Sequence, residues 1–104
     1  MSGDVQAFRD RAAGLAARIG KARSVAIFSH IDADGVSSAA IAYRAVERAG
    51  ASPKVHFLRS LGDREIDLIN NCGEDLAWVC DLGAGSYRSL DRSHCIITDH
   101  HHIF

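Results

Sequence analysis

The sequence lacks paired-cysteine spacing, an excess of basic charge and any long apolar run, and each absence removes a class of protein. Its three cysteines, Cys72, Cys80 and Cys95, are odd in number and form no CxxC arrangement. Neither a disulfide framework nor a thiolate zinc site is therefore indicated, and a reducing cytoplasm suits them best. Lys plus Arg number 12 against 13 Asp plus Glu, for a formal charge of −1. That balance lacks the basic surplus of a chain gripping a nucleic-acid backbone over many phosphates, although a local basic patch stays open. The N-terminus runs through Met1-Ser2-Gly3-Asp4 into a charged amphipathic stretch without the apolar centre of a signal peptide, and nothing approaches the length of a membrane span. A soluble, cytoplasmic protein with no membrane partner is the expectation. Proline occurs once, at Pro53, and no repeat or low-complexity linker interrupts the chain.

What is present is ordinary globular composition, 47% hydrophobic and 24% charged over 104 residues. That length holds one domain, near the lower edge for an α/β sheet covered on both faces. Phe8, Ala12, Leu15, Ala16 and Ile19 recur at helical spacing, with Arg9, Asp10, Arg11 and Arg18 elsewhere. Residues 5–19 are thus expected as an amphipathic helix, capped by Ser2 or Asp4, ended by Gly20, and packed on the sheet or on a neighbouring subunit. Residues 24–29 read as a buried strand without polar alternation. The Ala-rich run 36–49 reads as a helix beginning at the Asp34-Gly35 turn, with Gly50 in the position of a C-terminal cap. Pro53 restarts the chain into a strand at 54–58. A helix at 62–70 is stopped by Asn71-Cys72-Gly73. A strand at 76–80, a short helical segment at 87–92 and a strand at 95–98 complete the pattern.

Strands alternating with helices at this spacing predict an α/β fold, a three-layer parallel sheet in the order β-α-β-α-β-α-β behind an N-terminal amphipathic helix. In such sheets ligands bind beyond the carboxyl ends of the strands. Three of these strands end in acid or imidazole: Ser29-His30-Ile31-Asp32-Ala33-Asp34-Gly35 after the first, Asp81 after the third, and Asp99-His100-His101 after the fourth. The set offers mixed oxygen and nitrogen donors, which suit Mn²⁺, Mg²⁺, Zn²⁺ or Fe²⁺. So many carboxylates repel one another without cations. A pair of ions roughly 3.5–4 Å apart, bridged by one carboxylate, is the usual solution in phosphate-ester hydrolysis. A calcium-loop alignment fails, because His30 falls at the first ligand position and Ile41 at the bidentate one.

The order His30-x-Asp32-x-Asp34-Gly35, strand plus Asp81, strand plus Asp99-His100-His101 resembles motifs I, II and III of the DHH phosphoesterase superfamily. Within it the chain is most similar to RecJ-like proteins of archaeal type, in which a lead-in helix accompanies a motif of the Ser29-to-Gly35 kind. The resemblance spans nearly the whole chain and implies a Rossmann-like DHH domain. It implies His30 and Asp32 as ligands of one metal, Asp34 as ligand of the other, and Asp81 as the bridging, catalytic carboxylate. It further implies His100 as a metal ligand, His101 as the contact to the scissile phosphate, and Asp99 as a carboxylate orienting an imidazole. His102 lies outside the motif. The implied cofactors are two divalent ions, Mn²⁺ first and Mg²⁺ second. The implied activity is 5′ to 3′ exonucleolytic hydrolysis of single-stranded DNA or RNA, with replisome subunits as further partners.

In the family a fourth motif and a C-terminal substrate-binding domain follow. Residues 1–104 therefore read as a partial DHH domain, truncated or completed by a partner chain, and weak or inactive by itself. Three rivals stand beside this reading. A non-catalytic replication scaffold of the same fold would be expected to lose ligands, whereas motifs I to III keep all of theirs. A nanoRNase, cyclic-dinucleotide phosphodiesterase or pyrophosphatase would differ mainly in other domains. A phosphatase with Asp32 as covalent nucleophile would leave Asp99-His100-His101 without a role. Among lesser candidates, Arg59 and Arg64 could face phosphate but read better as solvated. His56 and His94 read as strand-flanking, Trp78 and Cys80 as core, Cys72 as part of a helix-ending turn, and Tyr87 as a surface aromatic.

Overall fold

The structure, a computed structural model, describes residues 2–81, 88–91 and 93–98, with the side chains of residues 2–4 and 8 left aside. Its elements follow the order α1 (Ser2–Lys21), β1 (Ser24–His30), α2 (Ala33–Arg48), β2 (Ser52–Leu58), α3 (Asp63–Asn70), β3 (Leu76–Cys80) and β4 (Cys95–Thr98). The four strands form one sheet in the order β2-β1-β3-β4, and every pairing is parallel. The expected α/β, Rossmann-like arrangement is the one observed. Among the described residues no helix is long and apolar enough to cross a membrane.

Burial on both faces explains the unbroken apolar runs of β1 and β3. Val25 and Ile27 point to one face, where they meet Ile19 of α1 and Ala39, Ala42 and Val46 of α2. Ala26 and Phe28 point to the other, where they meet Ile69 of α3 together with Ala77, Val79 and Leu90. Helices α1 and α2 thus cover one face and α3 the opposite one. The buried positions of α2 are Gly35, Ala39, Ala42 and Val46, a helical stripe of small residues that lets the axis lie close to the strands. Ala49 caps its end, and Gly50 follows at φ 84°, the left-handed conformation that glycine adopts without a Cβ penalty.

Three of the departures from expectation are informative. Helix α1 passes through Gly20 to Lys21; among its described side chains Ile19 is buried and Leu15 half-buried, while Ala12 and Ala16 are exposed. Pro53 lies inside β2 rather than before it. Ser52 N–H donates to Arg23 O and Leu58 O accepts from Ile31 N–H, so alternate backbone groups from Ser52 to Leu58 face β1 and Pro53 faces away from the ladder. An edge strand tolerates proline there because no sheet hydrogen bond is lost. Finally, residues 88–91 form a turn rather than the expected helix. Asp91 organises it by accepting from Ser93 N–H and Oγ–H, with its own N–H donating to Asn70 Oδ1.

Ile69 is the only fully buried side chain of α3 and anchors that helix beneath Phe28 and Val79. Ile69→Ala is expected to lower unfolding stability by about 2–5 kcal/mol through lost burial and a residual cavity. Urea denaturation of the 104-residue chain measures this, and a change below about 1 kcal/mol would show that α3 is held by something else.

Candidate metal centre

Strand order alone sets where a site can lie. From β1 the chain crosses to β2 on one side, and from β2 it returns to β3 on the other, so neighbouring strands β1 and β3 diverge in their connections. The crevice beyond their carboxyl ends is the topological switch point at which open α/β sheets bind ligands. β1 ends at His30 and β3 at Cys80, with Ser29 and Cys80 paired in register. His30 and Asp81, remote in sequence, therefore leave adjacent strands at the same level.

The turn from β1 into α2 fixes Asp32. It is the N-cap of α2, in extended conformation, and its Oδ1 accepts the Gly35 N–H at 2.8 Å. The other oxygen, Oδ2, lies 2.6 Å from His30 Nδ1. Gly35 is required by contact: a Cβ there would sit 1.8 Å from the His30 carbonyl oxygen. On the far side of the ring, His30 Nε2 lies 3.0 Å from the backbone carbonyl of Arg59, just past the end of β2. Both ring nitrogens face oxygen acceptors, which is the environment of an imidazolium. The hydrogen bond to Asp32 accordingly raises the pKa of His30 above its ordinary 6.5, with help from the Arg59 carbonyl and against partial desolvation. The Gly35 amide, then His30, hold Asp32 below its ordinary 3.8.

Asp81 enters from β3. It is 3% exposed and has φ 60°, the only positive value at a non-glycine residue among those described. Aspartate tolerates this region better than most residues, and its occurrence at a buried strand end marks a position held by its surroundings. His30, Asp32 and Asp81 each bring one ligand atom within 4.8 Å of the others, the one such group among the described residues. The Asp81 carboxylate also contributes, through its charge, to the raised His30 pKa. One imidazole and two carboxylates, one of them buried, are donors suited to a divalent cation of the Mn²⁺ or Mg²⁺ class, and two neighbouring carboxylates gain most from one.

Asp34 is exposed in the first turn of α2, outside this group of three. The Asp99, His100 and His101 assignments fall outside the described residues, as does Tyr87. The described chain ends at Thr98, whose carbonyl accepts the Asp81 N–H at 2.8 Å, so β4 reaches the same edge. Arg59 touches the site through its backbone carbonyl, not its guanidinium, and Arg64 is exposed. His56 stacks on Phe28 with ring centroids 4.9 Å apart, and His94 Nε2 lies 3.2 Å from Cys72 Sγ at the opposite end of the sheet. Cys80 is core, its thiol pushed up to about 12 by burial. Ser29 opens the first motif, but the sequence assigns it no role. Its only signal was a hydroxyl at the end of an otherwise apolar central strand.

The family model for the DHH family, N-terminal domain, matches residues 24–104. The chain belongs to the DHH family. Its members are metal-dependent phosphoesterases, and the matched span starts at β1, leaving α1 outside. Comparison with curated proteins finds no match. In this DHH domain the three converging residues come from the first two of the three sequence motifs, brought together by the β1–β3 pairing.

Two predictions follow from the geometry. Gly35→Ala forces a Cβ into the His30 carbonyl, so the turn must open; His30 and Asp32 should lose their mutual hydrogen bond, seen as loss of the low-field imidazole N–H signal by NMR. Persistence of that signal would mean that the turn accommodates a side chain. The second concerns pH without added metal. His30, with a raised folded pKa, stabilises fully below 6.5 and loses this as pH rises through its folded value. Asp32, with a depressed pKa, stabilises above 3.8 and loses this as pH falls through its folded value. The pair therefore supports the fold most between these limits. In EDTA, Asp32→Asn, which keeps a capping side chain, should flatten the fall in Tm between pH 6 and pH 9 relative to wild type.

Proposed function

We propose that this DHH domain is the catalytic phosphodiesterase module of a RecJ-like nuclease that removes nucleotides from the 5′ end of single-stranded DNA or RNA. The observation that carries the reading is the buried Asp81, in left-handed conformation, meeting His30 and Asp32 at the switch point of the sheet. Burial of a carboxylate beside a second one is costly unless a cation or proton compensates. A structural role alone does not call for that arrangement, which counts against a scaffold that has lost its chemistry.

His30, Asp32 and Asp81 would hold a divalent ion, Mn²⁺ before Mg²⁺. Asp34, Asp99, His100 and His101 would complete a pair of ions and the phosphate contact. When bound, such ions supply Lewis acidity toward the phosphate ester and a nucleophile available at neutral pH. The residues supply the rest. Asp32, fixed by the Gly35 amide, orients the His30 ring, and the Arg59 carbonyl holds the ring from its other edge. Asp81, held within the fold, presents its carboxylate between the two strand ends with little conformational freedom. Preorganisation of this kind is the contribution a protein makes to phosphoryl transfer, where positioning and charge dominate.

Calorimetry with MnCl₂ tests the site without requiring turnover by the 104-residue chain. Asp81→Ala is expected to weaken binding by at least about tenfold. In a longer chain that also carries the fourth motif and the substrate-binding domain, the same substitution should abolish Mn²⁺-dependent release of mononucleotides from single-stranded oligonucleotides. Wild-type binding or activity in Asp81→Ala would reject the assignment. Release from short dinucleotides alone would redirect it to the nanoRNase or cyclic-dinucleotide class.

A further inference from the structure

We infer that Ser29 is a positioning residue that sets Asp81 against the His30–Asp32 turn, an inference that rests on the proposed metal site. Ser29 is 0% exposed, in a central strand whose other buried residues are all apolar. A hydroxyl in such a place is unfavourable unless it is hydrogen-bonded. Its Oγ–H donates to Gly35 O at 2.7 Å and is shared with Cys80 O at 3.2 Å. These carbonyls belong to the two halves of the site. Gly35 carries the amide that holds Asp32, and Cys80 immediately precedes Asp81.

The consequence lies in the peptide unit joining Cys80 to Asp81. Its oxygen is held by Ser29 Oγ, and its N–H is held by Thr98 O at 2.8 Å. A peptide is planar, so fixing both its polar ends fixes the plane from which the Asp81 side chain departs. That plane is the one that accompanies φ 60° at Asp81. The same hydroxyl ties the plane to the start of α2, so one side chain adds to the β1–β3 pairing a direct link between the Asp81 and Asp32 halves of the site. No atom of Ser29 needs to touch a metal or substrate for this.

The test compares Ser29→Ala with Val46→Ala, a core truncation farther along α2, at a residue that is also 0% exposed. Each 104-residue variant is titrated with MnCl₂ by calorimetry, and amide hydrogen exchange at Asp81 is followed by NMR in EDTA. Ser29→Ala should weaken Mn²⁺ binding by about tenfold or more and speed exchange at Asp81. Val46→Ala, with a comparable drop in Tm, should do neither. Wild-type Mn²⁺ affinity in Ser29→Ala, or equal weakening in Val46→Ala, would overturn the inference. If the wild-type chain binds no Mn²⁺, the metal reading fails, and exchange at Asp81 decides the positioning role separately: faster only in Ser29→Ala supports it, unchanged overturns it.

Discussion

The close approach of Gly35 to the carbonyl of His30 is the constraint on which the rest of the site depends. With a hydrogen in place of Cβ, α2 can begin directly above the end of β1, where any side chain would come within 1.8 Å of the carbonyl oxygen. That start point makes Asp32 the N-cap, because its oxygen is then within reach of the Gly35 amide. Capping leaves the second carboxylate oxygen to face His30. Ala39 and Ala42 continue the same close contact along the helix, so the geometry of one turn is supported by the packing of the whole element.

The site concentrates negative charge, and the fold meets that cost by local hydrogen bonding. Asp32 is stabilised as an anion by a backbone amide and by His30, and His30 is stabilised as a cation by Asp32 and by the Arg59 carbonyl. Asp81 is different in kind: its left-handed backbone and burial are maintained by β3, by the pairing with Thr98 and by Ser29. Conformations of this sort persist only where the surroundings over-determine them, and they concentrate at functional positions.

Much of the architecture was legible from pattern. The boundaries of β3 and β4 coincide with those read from the apolar runs at 76–80 and 95–98, and Gly50 adopts the conformation expected of a glycine past a helix end. These features are local, set by burial on both faces of a strand or by a single backbone conformation. The failures are tertiary in origin. Residues 87–92 read as a short helical segment, yet the described part is a turn organised by Asp91 and Asn70. The amphipathic stripe of α1 gave no sign that, among its described apolar side chains, Leu15 and Ile19 are the ones that pack on the core. Asp32 was legible as a carboxylate near the site, but its capping role depended on where α2 begins.

From the sequence came the kinds of donor available, the strand ends that carry them and the glycine that must follow, since residue chemistry and hydrophobic period are properties of short stretches. Tertiary structure alone decided that β1 and β3 are neighbours, so that Asp81 meets His30 and Asp32 while Asp34 stays outside that group on the first turn of α2. It also decided that the Ser29 hydroxyl of β1 meets both α2 and β3. The physical reason is that strand order and peptide-plane orientation are fixed by non-local hydrogen bonds, such as the one from Ser29 to Cys80 across 51 residues, and no local pattern encodes which partners those bonds will find.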